Sequence, residues 1–97
     1  MGLRTIETLN KKAGALYQAG RLTEALATFD RVAKLAPNRS FAYANRGIVL
    51  KDLKRWDEAL ASADKAVSLQ PDDANSWNIR SAVLWDMNAN LPKSRAA

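Results

Sequence analysis

Leu16, Leu50 and Leu84 stand 34 residues apart, and a block of side chains recurs with them. Arg21-Leu22-Thr23-Glu24-Ala25-Leu26-Ala27 lines up with Arg55-Trp56-Asp57-Glu58-Ala59-Leu60-Ala61. Asp30, Leu35 and Pro37 return as Asp64, Leu69 and Pro71, and Arg46, Val49 and Asp52 return as Arg80, Val83 and Asp86. A period of this length marks a supersecondary unit that cannot bury its apolar face alone and stacks on copies of itself. That excludes most other architectures before any single residue is weighed.

The apolar spacing inside each unit is helical. Ala42, Tyr43, Gly47, Leu50 and Leu53 recur at steps of three and four, as do Ala59, Leu60, Ala63, Ala66, Val67 and Leu69. No β-branched run with alternating polarity argues for a strand. Gly20 separates two helical segments in the first unit, and Lys54-Arg55 stands in the equivalent place of the second. Pro37 and Pro71 end each pair, because proline cannot continue a helix interior. The pattern predicts an all-α chain of about five helices, near 4–18, 22–35, 40–53, 56–69 and 74–88. Ala13, Gly47 and Ser81 on the first helix of each unit, with Ala25 and Ala59 on the second, would let paired helices approach closely. Phe29, Tyr43, Trp56 and Trp77 would fill the remaining gaps. The tail 89–97, which contains Pro92, reads as frayed or truncated.

Composition narrows the function. At 97 residues, 47% hydrophobic and 26% charged, the sequence suits a single folded core, and residues 1–97 read as one domain. With no Cys and no His, it has no disulfide, thiol nucleophile, imidazole base or ordinary zinc set. Asp72-Asp73 fits a helix start better than a metal. There is no Gly-rich phosphate loop. No catalytic residue, cofactor or metal is expected. The formal charge of +5 invites a nucleic-acid reading, but basic and acidic residues interleave along the chain, which argues against one. The densest basic run, Lys51-Asp52-Leu53-Lys54-Arg55, falls at an inter-helix turn and reads as solvated surface. No apolar run approaches the ~20 residues that span a bilayer, and no signal segment is legible. Asn38-Arg39-Ser40 matches a glycosylation pattern but reads as a turn. A soluble, cytoplasmic chain with no membrane partner is expected.

These motifs resemble the tetratricopeptide repeat (TPR), whose 34-residue unit runs Trp, Leu-Gly, Tyr, Ala, Phe, Pro. The second unit carries it as Tyr43, Gly47, Leu50, Ala59, Ala63 and Pro71, and the first as Leu9, Ala13, Leu16, Ala25, Phe29 and Pro37. Trp77, Ser81 and Leu84 supply the first helix of a third unit. The resemblance covers about residues 6–88, with repeat one near 6–39, repeat two 40–73 and a partial third at 74–97. It departs where Lys12, Arg46 and Arg80 replace the usual leucine. That column is expected to reach past the core edge with its charge in water.

The resemblance implies an α-α superhelix of antiparallel helix pairs, a solenoid whose first helices line a concave groove for an extended peptide. The groove set then comprises Asn10, Lys11, Tyr17, Phe41, Asn45, Ile48, Lys51, Asn78, Ile79 and Trp85, with Phe41, Ile48, Ile79 and Trp85 partly exposed. Asn45 offers both a donor and an acceptor to a ligand backbone. Family members that clamp acidic C-terminal peptides set Lys and Arg around such an Asn. Here Asn10, Gly14, Asn75 and Ile79 occupy those places, so a neutral or apolar peptide is the better match. The last helix carries more apolar residues than one stripe can bury. Trp77, Val83, Leu84 and Met87 therefore form a second expected surface, for self-association into a homo-oligomer.

Overall fold

The computed structural model describes residues 3–90, which form α1 (Leu3–Gln18), α2 (Leu22–Leu35), α3 (Ser40–Asp52), α4 (Trp56–Leu69) and α5 (Ala74–Ala89). All five expected helices are present, with ends within a residue of the periodicity. Of the tail reading, Ala89 closes α5, and Pro92 lies outside the described residues.

Local chemistry explains the ends. After α1 the Gly20 N–H bonds the Tyr17 carbonyl and the Arg21 N–H bonds the Leu16 carbonyl. After α3 the Lys54 N–H bonds Lys51 and the Arg55 N–H bonds Leu50. This paired closure needs a left-handed residue, and Gly20 (φ 81°) and Lys54 (φ 66°) supply it. The second helices then open alike, with bidentate Arg21–Glu24 and Arg55–Glu58 pairs across their first turns. The Arg55 guanidinium beside Glu58 holds that carboxyl below its ordinary value. Asp73 caps α5, accepting from the Asn75 N–H and the Ser76 hydroxyl.

Consecutive helices pack on one another, and α3 also packs closely on α5. The main core joins Ala13, Ala25, Leu26, Phe29, Val49, Leu50, Ala59, Ala63, Ala66 and Val83. A smaller cluster of Leu9, Val32 and Ala42 holds the other end, with Ile6 and Phe41 against it. Ala25 and Ala59 are completely buried, as small contact residues should be. A Cβ added to Gly47 would sit 3.4 Å from the Ala59 carbonyl and 3.6 Å from Ile79 Cγ2, so α3 is squeezed between α4 and α5 there.

The basic column is corrected at Arg46. Arg46 does not hold its charge in open water, since its Nε donates to Asp30 and its Nη1 to the buried Ser62, whereas Arg80 donates to Asp64 in a pair that stays exposed as expected. Arg46 and Arg80 are thus each tied to the second helix of the preceding unit. Lys12, the corresponding residue of the first unit, is exposed. Tyr43 and Trp77 repeat a second tie, donating to the carbonyls of Pro37 and Pro71.

Candidate functional site: a cleft between the first helices

The two first-helix junctions differ. Between α3 and α5, Ile79 lies against the bare backbone of Gly47 and closes the gap. Between α1 and α3 the connection runs through long side chains. Asn45 Nδ2 donates to Asn10 Oδ1 (3.2 Å), and the Tyr17 hydroxyl donates to Asp52. Beside these bonds lies an open cleft of about 150 Å³ lined by Asn10, Gly14, Tyr17, Gln18, Phe29, Asn45, Ile48 and Val49. A Cβ at Gly14 would meet nothing within 4 Å, so the missing side chain is part of the space.

Four expected groove residues, Asn10, Tyr17, Asn45 and Ile48, therefore come together. Lys11 is exposed outside the cleft, in a separate depression that it forms with Glu7, Thr8 and Asn10. Lys51 stays on this side but is engaged, its ammonium 3.0 Å from Asp52. Phe41 is half-buried against the smaller cluster, away from the cleft. Asn78 and Trp85 are exposed on α5, Trp85 at 78%.

Two expected site residues are inside the fold. Ile79 is only 6% exposed, because α5 approaches α3 over Gly47. It is an inter-repeat core residue and not a groove residue. Val83, expected on a self-association surface, is completely buried in the main core. The other members of that set differ: Trp77 is 45% and Leu84 37% exposed, and Met87 is half-buried.

Sequence reasoning missed Gln18, Val49 and Phe29 as lining residues, and Asp52 as the partner of Tyr17 beside the cleft. Phe29 was legible as a core aromatic, and it forms the cleft floor, while its counterpart in the second unit is the smaller Ala63. Asp52 and Gln18 share one repeat register beside the Tyr17 column, which was the available signal.

The electrostatics centre on the Tyr17–Asp52 pair beside the cleft. Partial burial pushes the Asp52 carboxyl up, but the Tyr17 hydroxyl and the Lys51 ammonium together outweigh it and hold the group below the usual carboxylate range. The bond to Asp52, then burial and the carboxylate charge, push the Tyr17 phenol up to about 12. Around neutral pH Tyr17 is a phenol and Asp52 a carboxylate, so their hydrogen bond persists. Among the described residues, no group of three or more carboxylates could hold a metal ion, and no helix is long and apolar enough to cross a membrane.

Comparison with known proteins agrees with this architecture. No curated protein matches the chain significantly. Among solved structures, the first TPR of Spaghetti (RPAP3) bound to the HSP90 peptide SRMEEVD superposes with a TM-score of 0.84 at 18% identity, covering 92% of this chain and 71% of that one. A tetratricopeptide-repeat family model matches residues 4–72. With the 34-residue register, the paired turns and the Arg–Asp ties between units, the chain belongs to the tetratricopeptide repeat family.

Proposed function

We propose that this chain is a protein-interaction module, a single repeat domain that receives an extended peptide or partner segment on the face formed by α1, α3 and α5. The observation that carries this is the cleft between α1 and α3. It is concave, has a floor of Phe29, Ile48 and Val49, and has amide groups at its mouth. Asn45 spends one N–H on Asn10 and keeps a second N–H and its carbonyl for a ligand backbone, which is recognition independent of ligand side chains. The structural neighbour that holds a peptide shares the same fold, which supports the reading. The work of such a module is binding, and the expected setting is the cytoplasm. A displayed random-peptide library screened on the chain tests it, with selected peptides titrated against Asn45→Ala and Ile48→Asp. A several-fold loss for the first and at least a tenfold loss for the second are expected. Unchanged binding by both folded variants refutes the groove.

A second reading is favoured by α5. Trp77, Leu84 and Trp85 leave large apolar area in water on one helix. Leu84 occupies the register of Leu50, which is completely buried by its second helix, so this face has the shape of a half-made helix pair. Self-association of two copies would cover it. Light scattering across a concentration series checks this: association that Leu84→Glu abolishes supports the reading, and a strict monomer at the highest concentration removes it.

A further inference from the structure

The cleft and its counterpart one unit on are chemically opposite, and the difference names what the cleft takes. Asn10 and Asn45 face each other across α1 and α3. The same register positions across α3 and α5 are Ala44 and Ile79, both buried. Phe29 under the first junction corresponds to Ala63 under the second. The second junction is therefore closed by core packing, and the first is held open by a polar bridge above an apolar floor.

The open junction is also neutral. In a chain with a formal charge of +5, no charged side chain lines the cleft. Of the two lysines on this side, Lys51 is paired with Asp52, and Lys11 stands outside the cleft, in the neighbouring depression beside Asn10. An acidic ligand group buried in the cleft would find no counter-charge among the lining residues, and burying a charge unpaired is unfavourable. The volume of about 150 Å³ matches the size of an apolar cavity that accepts a benzene ring.

We infer that the cleft takes one uncharged apolar side chain, of leucine, methionine or phenylalanine size, from an extended peptide whose backbone amides pair with Asn10 and Asn45. This rests on the peptide-binding reading above and sharpens it: recognition has a single anchor, at the first junction only. Gly14 is the gate, since any larger residue there occupies the anchor's space.

A phage-displayed random heptapeptide library selected on the full chain tests this, followed by calorimetric titration of the selected peptides. Enrichment of one Leu, Met or Phe at a single position, flanked by uncharged residues, is expected. Gly14→Leu should keep the helical circular dichroism spectrum and weaken binding at least tenfold. Ala61→Leu, on the exposed surface of α4, should leave affinity within twofold. Replacing the anchor by alanine in the peptide should match the Gly14→Leu loss. Selection of acidic motifs, or binding by Gly14→Leu at unchanged affinity while Ile48→Asp still abolishes it, overturns the anchor and leaves the groove standing. Binding unaffected by Gly14→Leu, Asn45→Ala and Ile48→Asp alike overturns both.

Discussion

Gly20 and Lys54 occupy the same turn one unit apart, both at positive φ. A side chain in that region costs roughly 1–2 kcal/mol, and glycine escapes the cost. Gly20→Ala should therefore lower stability by about 1 kcal/mol in thermal unfolding. Lys54→Gly should raise it, but by less. The lysine ammonium lies 5.9 Å over the Trp56 ring, and losing that contact gives back about 0.5 kcal/mol. Tyr17 and Asp52 carry the pH dependence at this scale. The folded pKa of Asp52 is depressed, so its contribution is present above the unfolded carboxylate value of about 3.9 and fades as pH falls through the folded value. Tyr17 is raised to about 12, so its contribution is complete below pH ~10 and is lost as pH rises toward the folded value. Both groups are partly solvated, so Tyr17→Phe should cost only about 1 kcal/mol at neutral pH. Urea titrations of that variant should show a flatter stability profile at both the acid and alkaline edges. The repeat register showed the shared turn, whereas the Tyr17–Asp52 bond joins different columns of two helices and leaves no periodic trace.

Helix positions were readable from spacing, because apolar periodicity and the turn residues act within a few positions of chain. How each helix is rotated was not, since a step of one residue turns the side chain by about 100°. Ile79 shows the consequence. It stands beside the groove rows in the linear pattern, yet the close approach of α5 to α3 over Gly47 places it in the core. The arginine column shows the same limit. Arg46 joins α2, α3 and α4 through Asp30 and Ser62, while Arg80 joins only α4 and α5 through Asp64. Arg46→Met should therefore destabilise more than Arg80→Met. Its loss also leaves the buried Ser62 hydroxyl without this partner, so about 1–2 kcal/mol is expected against less than 1 for the exposed pair. Paired denaturation curves check the ranking, and equal costs would mean that the Ser62 bond contributes nothing.

The molecule measures 54 × 30 × 18 Å, elongated as a stack in which each helix meets mainly its neighbours. Stability in such an array is roughly a sum of unit and interface terms. A chain ending at residue 73 loses Ile79 and Val83 from the core, worth about 1.5–3 kcal/mol each when fully buried, and bares Gly47 and Ala44. It should unfold at a lower urea concentration with a smaller m-value, reflecting less area exposed on unfolding. An unchanged midpoint would mean that α5 is not part of the cooperative unit. The exposed Trp77, Leu84 and Trp85 belong to this scale too, because their exposure follows from the absence of a helix over them among the described residues.

By itself the sequence determined the period, the helical character, the element ends and the family. These follow from backbone-local preferences and from spacing, which survive in one dimension. Only the tertiary structure decided that Asn45 opens a cleft while Ile79, in the same register, seals one. The identity of the facing side chain, Asn10 in one case and Ala44 in the other, sets that outcome, and facing partners are fixed by how helices lie against each other.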